Sequence, residues 1–253
     1  MPSRLLARLW FAWVLAANAA VLLVLWVPAM VDLGRSRTVG TFRRWAFPWS
    51  RATLALIGVR VRTAGAVPAA PVVFVSNHRA MLDIPVLVVG LRTPFLFVAR
   101  VALARLPLVG PVLRASVCVF LDRDAPGGSD AALDAAAARL ARGESVLFFP
   151  EGTRRYDGPL GPFYPGAFRL ARRAGVPVVP VAVGDTDALL NERARTARPG
   201  RVTVRVGAPL WPGTAPSAEA LAALARDAVA ALLAEGEPAP ERAAVSARRS
   251  AAP

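Results

Sequence analysis

From Leu9 to Val31 the chain runs 23 residues without a charge, bracketed by Arg4 and Arg8 before it and by Asp32, Arg35 and Arg37 after it. A helix of that length matches the hydrocarbon thickness of a bilayer. Three forms fit the run: a spanning helix, a signal peptide, or a helix immersed in one leaflet. It is longer than a usual signal-peptide core and no small-x-small cleavage site follows it, which weighs against the second. Arginines on both flanks leave the orientation open. The next stretch, Thr38 to Ile57, mixes Arg43, Arg44 and Arg51 with Trp45, Phe47, Trp49 and Leu54. Arginine with tryptophan on one short element predicts an amphipathic helix in a membrane interface, with an ordinary surface helix packed on a domain as the competing form.

From Val59 the pattern changes to alternating strands and helices. Val59 to Thr63 alternates with period two, as a strand with one wet face. Strands are expected at Pro71 to Val75, Phe95 to Val98, Val117 to Leu121, Val146 to Phe149, Val176 to Val183 and Val202 to Val206. Helices are expected at Ile84 to Leu91, at Ser129 to Arg142 with Ser129 as cap, at Ala167 to Ala174, and at Ser217 to Leu233 with Ser217 as cap. Arg100 to Arg114 carries Pro107, Gly110 and Pro111 and reads as broken helix and loop. The chain therefore divides into membrane-associated helices over 1–57, one α/β domain over 58–234, and a tail over 235–253. That tail holds Pro, Ala, Ser and charge without periodicity and is expected to be disordered.

Composition narrows the setting. Mean hydropathy is +0.44, high for a soluble protein. All 31 basic residues are arginine, for a formal charge of +14. Guanidinium stays charged and grips phosphate with two parallel hydrogen bonds, so anionic headgroups, phosphorylated substrates and nucleic acid are the candidate partners. Nucleic acid is disfavoured: the arginines form no single stripe, stacking aromatics are not interleaved with them in the α/β part, and a long apolar run serves no such role. The single cysteine, Cys118, sits in an apolar run and cannot form an internal disulfide; it reads as inert core in a reducing, cytoplasmic setting.

The one histidine, His78, follows an apolar run that ends in Ser76-Asn77, and Asp83-Ile84-Pro85 opens the next helix with Asp83 placed as its N-cap. Five residues apart, His78 and Asp83 would face different ways on a continuous helix, so they meet only if the loop turns between them. A carboxylate on one imidazole nitrogen fixes the tautomer and leaves the other as a base, which suits deprotonation of a hydroxyl. Further loops follow strands, where α/β folds collect ligands. Phe120-Leu121-Asp122-Arg123 delivers an acid and an arginine. Phe149-Pro150-Glu151-Gly152-Thr153-Arg154-Arg155 offers a glycine for close backbone approach and arginines for a phosphate. Val176-Pro177-Val178-Val179-Pro180 is an apolar strand with two prolines, expected at a sheet edge or as a wall for an apolar ligand.

Together the four blocks resemble the glycerolipid acyltransferase family, most nearly its bacterial 1-acylglycerol-3-phosphate members. The family's N-H-x-x-x-x-D stands here as Asn77-His78 to Asp83, its F-x-x-R as Phe120 to Arg123, its F-P-E-G-T-R as Phe149 to Arg154, and its V-P-x-x-P as Val176 to Pro180, in the same order over about residues 58 to 210. The resemblance implies a single mixed-sheet domain flanked by helices. It implies transfer of a fatty acyl group from acyl-coenzyme A or acyl carrier protein to the sn-2 hydroxyl of lysophosphatidic acid, giving phosphatidic acid. By carry-over, His78 is the general base and Asp83 orients it. Arg123, Glu151, Gly152, Thr153 and Arg154 bind the acceptor's phosphate, and Val176, Pro177 and Pro180 lie near the acyl chain. No metal or cofactor is implied. The expected place is the inner cell membrane, with the catalytic domain facing the cytoplasm.

Two departures bear on the acceptor. Val117 stands where the second block often opens with glycine, and Phe163-Tyr164-Pro165-Gly166 lacks the lysine often found there. Another lysolipid, such as a lyso-ornithine lipid, is the nearest alternative acceptor. A non-catalytic membrane protein is the remaining class, and the intact His78 and Asp83 argue against it.

Overall fold

At Gly58, with φ 76°, the chain changes from helix to sheet. Its N–H donates to the Ala55 carbonyl at 3.0 Å, and a Cβ there would stand 2.8 Å from that of Pro199, so both conformation and space demand glycine. The computed structural model describes residues 4–35, 38–69, 71–105, 109–115, 118–122, 125, 127–156 and 158–235. The tail expected to be disordered, beyond 235, lies outside them.

Two helices precede the turn, α1 (Arg4–Arg35) and α2 (Val39–Ile57). Asn18, the one amide in the uncharged run, accepts from Trp49 Nε1 at 3.0 Å and from Thr53 Oγ1 at 3.1 Å. Asp32 accepts from Trp45 Nε1 at 2.9 Å. Both tryptophans of α2 thus turn toward α1, and the arginine–tryptophan pattern belongs to a helix clamped between α1 and the domain. Phe11 and Val14 of α1 and Leu54 and Ile57 of α2 join one core with Phe74, Val86 and Leu87. The boundary at residue 57 is a change of character and not a break in packing. The other side of α1 exposes Leu5, Leu9, Trp13, Leu23, Val24 and Val27, with Val24 at 74%. By length and composition, Leu5–Leu25 could cross a membrane.

Among the described residues the main sheet has seven strands: β1 (Val59–Ala64), β2 (Val73–Ser76), β3 (Phe95–Arg100), β4 (Val119–Leu121), β5 (Ser145–Phe148), β6 (Val178–Val183) and, after a two-stranded hairpin, β9 (Gly200–Val206). That hairpin is β7 (Leu190–Asn191) with β8 (Thr196–Ala197). The order is β1-β9-β6-β2-β5-β3-β4, parallel except where β6 meets β9. One face is covered by α2 and α3 (Asp83–Leu91), the other by α5 (Gly128–Leu140), α6 (Gly166–Ala174) and α8 (Ala218–Ala234). Successive residues of β2 enter opposite cores, Phe74 one and Val73 and Val75 the other, which is why these strands read as continuous apolar runs. Each such buried aliphatic or aromatic side chain contributes about 1.5–3 kcal/mol relative to exposure. Between β3 and β4 the chain forms a short 3₁₀ turn and α4 (Val109–Ala115). A one-turn helix, α7 (Thr186–Leu189), follows β6.

Two caps and one strand differ from the sequence reading. Ser129 does not cap α5, which begins one residue earlier after Gly127 in a left-handed turn. Asp83 does not cap α3; it is the first helical residue, and its carboxylate faces back into the preceding loop. β6 is neither an edge nor an exposed wall but lies at the sheet's centre, wholly buried. Its proline is tolerated because Pro180 sits between the pairing with β9, which starts at Val181, and a bridge from Val178 to Leu210; its carbonyl still accepts from Gly207 N–H at 2.8 Å.

Candidate active site

Strands β2, β5, β6, β3 and β4 run parallel, so the loops that follow them gather on one edge. The loop after β2 is tied down by Asn77, whose amide donates to the Val183 carbonyl at 3.0 Å and accepts from Val183 N–H at 2.8 Å. A buried side chain here does what a strand neighbour would, and holds the end of β2 against the end of β6. His78 follows at once. The chain then turns, Asp83 N–H bonding to the Ala80 carbonyl at 3.2 Å, and this turn brings His78 and Asp83 together.

The Asp83 carboxylate accepts from His78 Nδ1 at 2.7 Å, from Arg79 N–H at 2.7 Å and from Ala80 N–H at 3.0 Å, all at Oδ2. Its Oδ1 accepts from Thr186 Oγ1 at the start of α7. Asp83 is fully buried and the imidazole is 16% exposed. A buried carboxylate with this many donors is an acceptor only, so Nδ1 carries the proton and Nε2 is left as the basic nitrogen, without a partner among the described residues. The ring stacks on Phe149, centroids 3.9 Å apart, and Phe149 stacks on Phe97. Imidazole rotation is blocked by both contacts. The arrangement can take a proton from a hydroxyl that approaches Nε2.

The loop after β5 packs on this pair. Arg155 N–H donates to the His78 carbonyl at 2.8 Å. Glu151 is buried, its Oε1 accepting from His78 N–H and its Oε2 from Gly161 N–H, both at 2.9 Å. Glu151 was expected at the phosphate; here both its oxygens are taken by backbone N–H groups, and a carboxylate repels a phosphate. It is a positioning residue for the His78 backbone. Gly152 adopts φ 69°, the left-handed turn that exposes Thr153 and Arg154. Arg154 is half-exposed and reaches Glu192 Oε1 at 3.4 Å. That same oxygen accepts from Met81 N–H at 2.6 Å, while Glu192 Oε2 is buried with no partner among the described residues. Tyr156 faces Arg154 and Arg193, at 5.9 and 5.5 Å from its ring; burial, then the hydrogen bond to Glu192, pushes its phenol up.

Arg123 lies outside the described residues. Val176 and Pro177 stand at the start of β6, and Val178 is level with Val73, so these residues are at the sheet edge opposite His78. Pro180 is level with Val75 inside the sheet. The structure does not bring this block to the His78 edge. Thr186, Asp187 and Glu192 do come there, Asp187 pairing with Arg79 at 3.6 Å, and sequence reasoning passed over all three. For Thr186 and Asp187 the signal was present: Gly184-Asp185-Thr186-Asp187 is a polar loop after an apolar strand, as the other site loops are. Among the described residues no group of three His, Cys, Asp or Glu side chains could hold a metal ion.

Residues 58–184, half of the chain, match the family described as Acyltransferase. A 1-acyl-sn-glycerol-3-phosphate acyltransferase of Chlamydomonas reinhardtii is 37% identical over 167 residues, 66% of this chain and 49% of that protein. The alpha form of the same enzyme from Mus musculus is 33% identical over 160 residues, 61% of this chain and 56% of that one. The chain thus spans about half the length of these curated relatives. The crystal structure of the 1-acyl-sn-glycerophosphate acyltransferase PlsC from Thermotoga maritima aligns with a TM-score of 0.70 at 25% identity, over 92% of this chain and 95% of that one. With the His78–Asp83 pair inside a family match that takes in half of the chain, the chain belongs to the acyltransferase family.

Proposed function

We propose that the protein transfers a fatty acyl group from a thioester donor, acyl-coenzyme A or acyl carrier protein, to the free hydroxyl of lysophosphatidic acid, giving phosphatidic acid. The observation that carries this reading is the 2.7 Å contact of His78 Nδ1 with a buried Asp83, which leaves Nε2 outward at the strand edge beside the Arg154 loop. Nε2 takes the hydroxyl proton as the oxygen attacks the thioester carbonyl. The tetrahedral oxyanion then collapses, the C–S bond breaks, and the leaving thiolate takes the proton from the imidazolium. Attack is direct, with no acyl-enzyme, and the chemistry needs no resident cofactor. Arg154 receives the acceptor's phosphate, which takes the place of Glu192 on the guanidinium. The names of the relatives support this acceptor.

The protein works at a membrane, with the exposed apolar side of α1 immersed in the cytoplasmic leaflet and the site facing the cytoplasm. Support comes from α1 itself: its inner side is occupied by α2 and the domain, while its outer side is apolar. The test is acyl transfer by the detergent-solubilised protein from labelled long-chain acyl-coenzyme A to a panel of lysolipids, with His78→Ala as blank. Transfer to lysophosphatidic acid that is lost in the blank supports the reading. Transfer only to a phosphate-free lysolipid, such as a lyso-ornithine lipid, overturns the acceptor and keeps the chemistry.

A further inference from the structure

Between α1 and the turn joining β7 to β8 lies a groove of about 730 Å³, lined by Arg8, Phe11, Ala12, Leu15, Arg193, Ala194 and Arg195. That is the size of a pocket for a small amphiphile. Its lining is divided by chemistry: arginines from the start of α1 and from the turn, and an apolar stripe from α1, with no acid among them. Elsewhere on the surface arginines are commonly paired, Arg154 with Glu192, Arg139 with Glu144 and Arg173 with Asp134. Arg8, Arg193 and Arg195 have no carboxylate partner among the described residues. The turn is ordered all the same: Ala194 N–H donates to Asn191 Oδ1 at 2.8 Å, and Arg193 lies over the Tyr156 ring.

We propose that this groove binds the phosphate of an anionic phospholipid of the surrounding leaflet, whose acyl chains run along the exposed apolar side of α1. Three arginines in one lining, with no acid in that lining and no ion pair to a carboxylate, favour a phosphate ester. The apolar stripe selects a lipid over a free phosphate, and it is continuous with Leu5, Leu9 and Trp13, which are exposed on the same helix. The headgroup level that the groove defines is also that of Glu192 and Arg154, joined to it through Tyr156. The site is thus distinct from the acceptor position on Arg154 and adjoins it.

The test is vesicle flotation at fixed salt with three proteins: the wild type, an Arg8→Gln/Arg193→Gln/Arg195→Asn variant, and an Arg60→Gln/Arg62→Gln control on the wet face of β1. Asparagine is used at 195 because that residue holds φ 52°, which asparagine tolerates. On phosphatidylcholine vesicles containing phosphatidic acid, the groove variant should bind roughly 100-fold more weakly and the control within about threefold of wild type. On pure phosphatidylcholine all three should bind alike, which also shows that α1 and the fold are intact. Equal losses in the groove variant and the control, or no loss in either, would overturn the proposal. So would release of anionic vesicles by coenzyme A but not by inorganic phosphate at the same concentration, since the groove would then belong to the thioester's phosphates.

Discussion

The backbone N–H of His78 donates to Glu151 Oε1 at 2.9 Å, across 73 residues of sequence. The other oxygen of the same carboxylate holds Gly161, so one buried side chain fixes the histidine loop and two points of the loop after β5. Replacing Glu151 by Gln puts an NH₂ where one N–H must find an acceptor. We expect a loss of about 1–3 kcal/mol in stability, read by urea unfolding, and a fall of at least about tenfold in kcat with the acceptor KM within about threefold. A rise in KM with kcat unchanged would return Glu151 to the phosphate.

His78→Ala removes the base, its stacking on Phe149 and one donor to Asp83, and leaves Arg79 N–H, Ala80 N–H and Thr186 Oγ1 on that carboxylate. Transfer should fall by about 10²–10⁴-fold while the unfolding midpoint and vesicle binding stay near wild type. A variant with wild-type kcat would end the general-base assignment.

Thr186 acts through Asp83 and touches no reacting atom. Thr186→Val deletes the hydroxyl that Asp83 Oδ1 accepts and keeps the shape, so kcat should fall about tenfold, and Thr186→Ser should restore most of it. Rescue by serine separates positioning from packing; equal losses in both would point to packing.

Arg154 and Glu192 should show opposite signs. Arg154→Ala is expected to raise the acceptor's KM about tenfold or more and the thioester's little. Glu192→Gln, which frees the guanidinium, should lower the acceptor's KM. Equal effects on both substrates would count against a phosphate role for Arg154.

Alkaline stability isolates one thiol. Burial pushes Cys118 from an ordinary 9.0 up to about 12. Below pH 9 the thiol is protonated in both states and its contribution is complete; above it the unfolded chain loses the proton first, so stability declines until about pH 12. The slope is about 1.4 kcal/mol per pH unit. There is no lysine to titrate, and Tyr156, its phenol also pushed up, acts with the same sign. Cys118→Ala should therefore lose about 1.4 kcal/mol less than wild type between pH 8 and pH 10 by urea unfolding. Identical declines would show a solvated thiol.

The strand edge could be foreseen from local chemistry. Apolar β-branched runs ending in polar loops announced β2 and β5, and the His78 and Arg154 blocks stand at their ends. The H-x-x-x-x-D spacing required a turn, and the turn at Ala80 to Asp83 is there. That Val176 and Pro177 stand at the other end of β6 from His78 was not legible, because a motif shows which residues travel together in sequence and not which end of a strand meets the site. Only the register of β6 on β2 decides that.

The amino-acid sequence by itself determined the class of fold, the apolar helix and the chemistry available at one histidine, since these depend on periodicity, length and residue type within a few positions. Tertiary structure alone decided that β6 is central, that Glu151 serves the backbone of His78, that Thr186 completes the hold on Asp83, and that Glu192 meets Arg154. Each of these is a contact between residues 38 to 103 positions apart or a place in the strand order, and such contacts are set by how the whole sheet is wound.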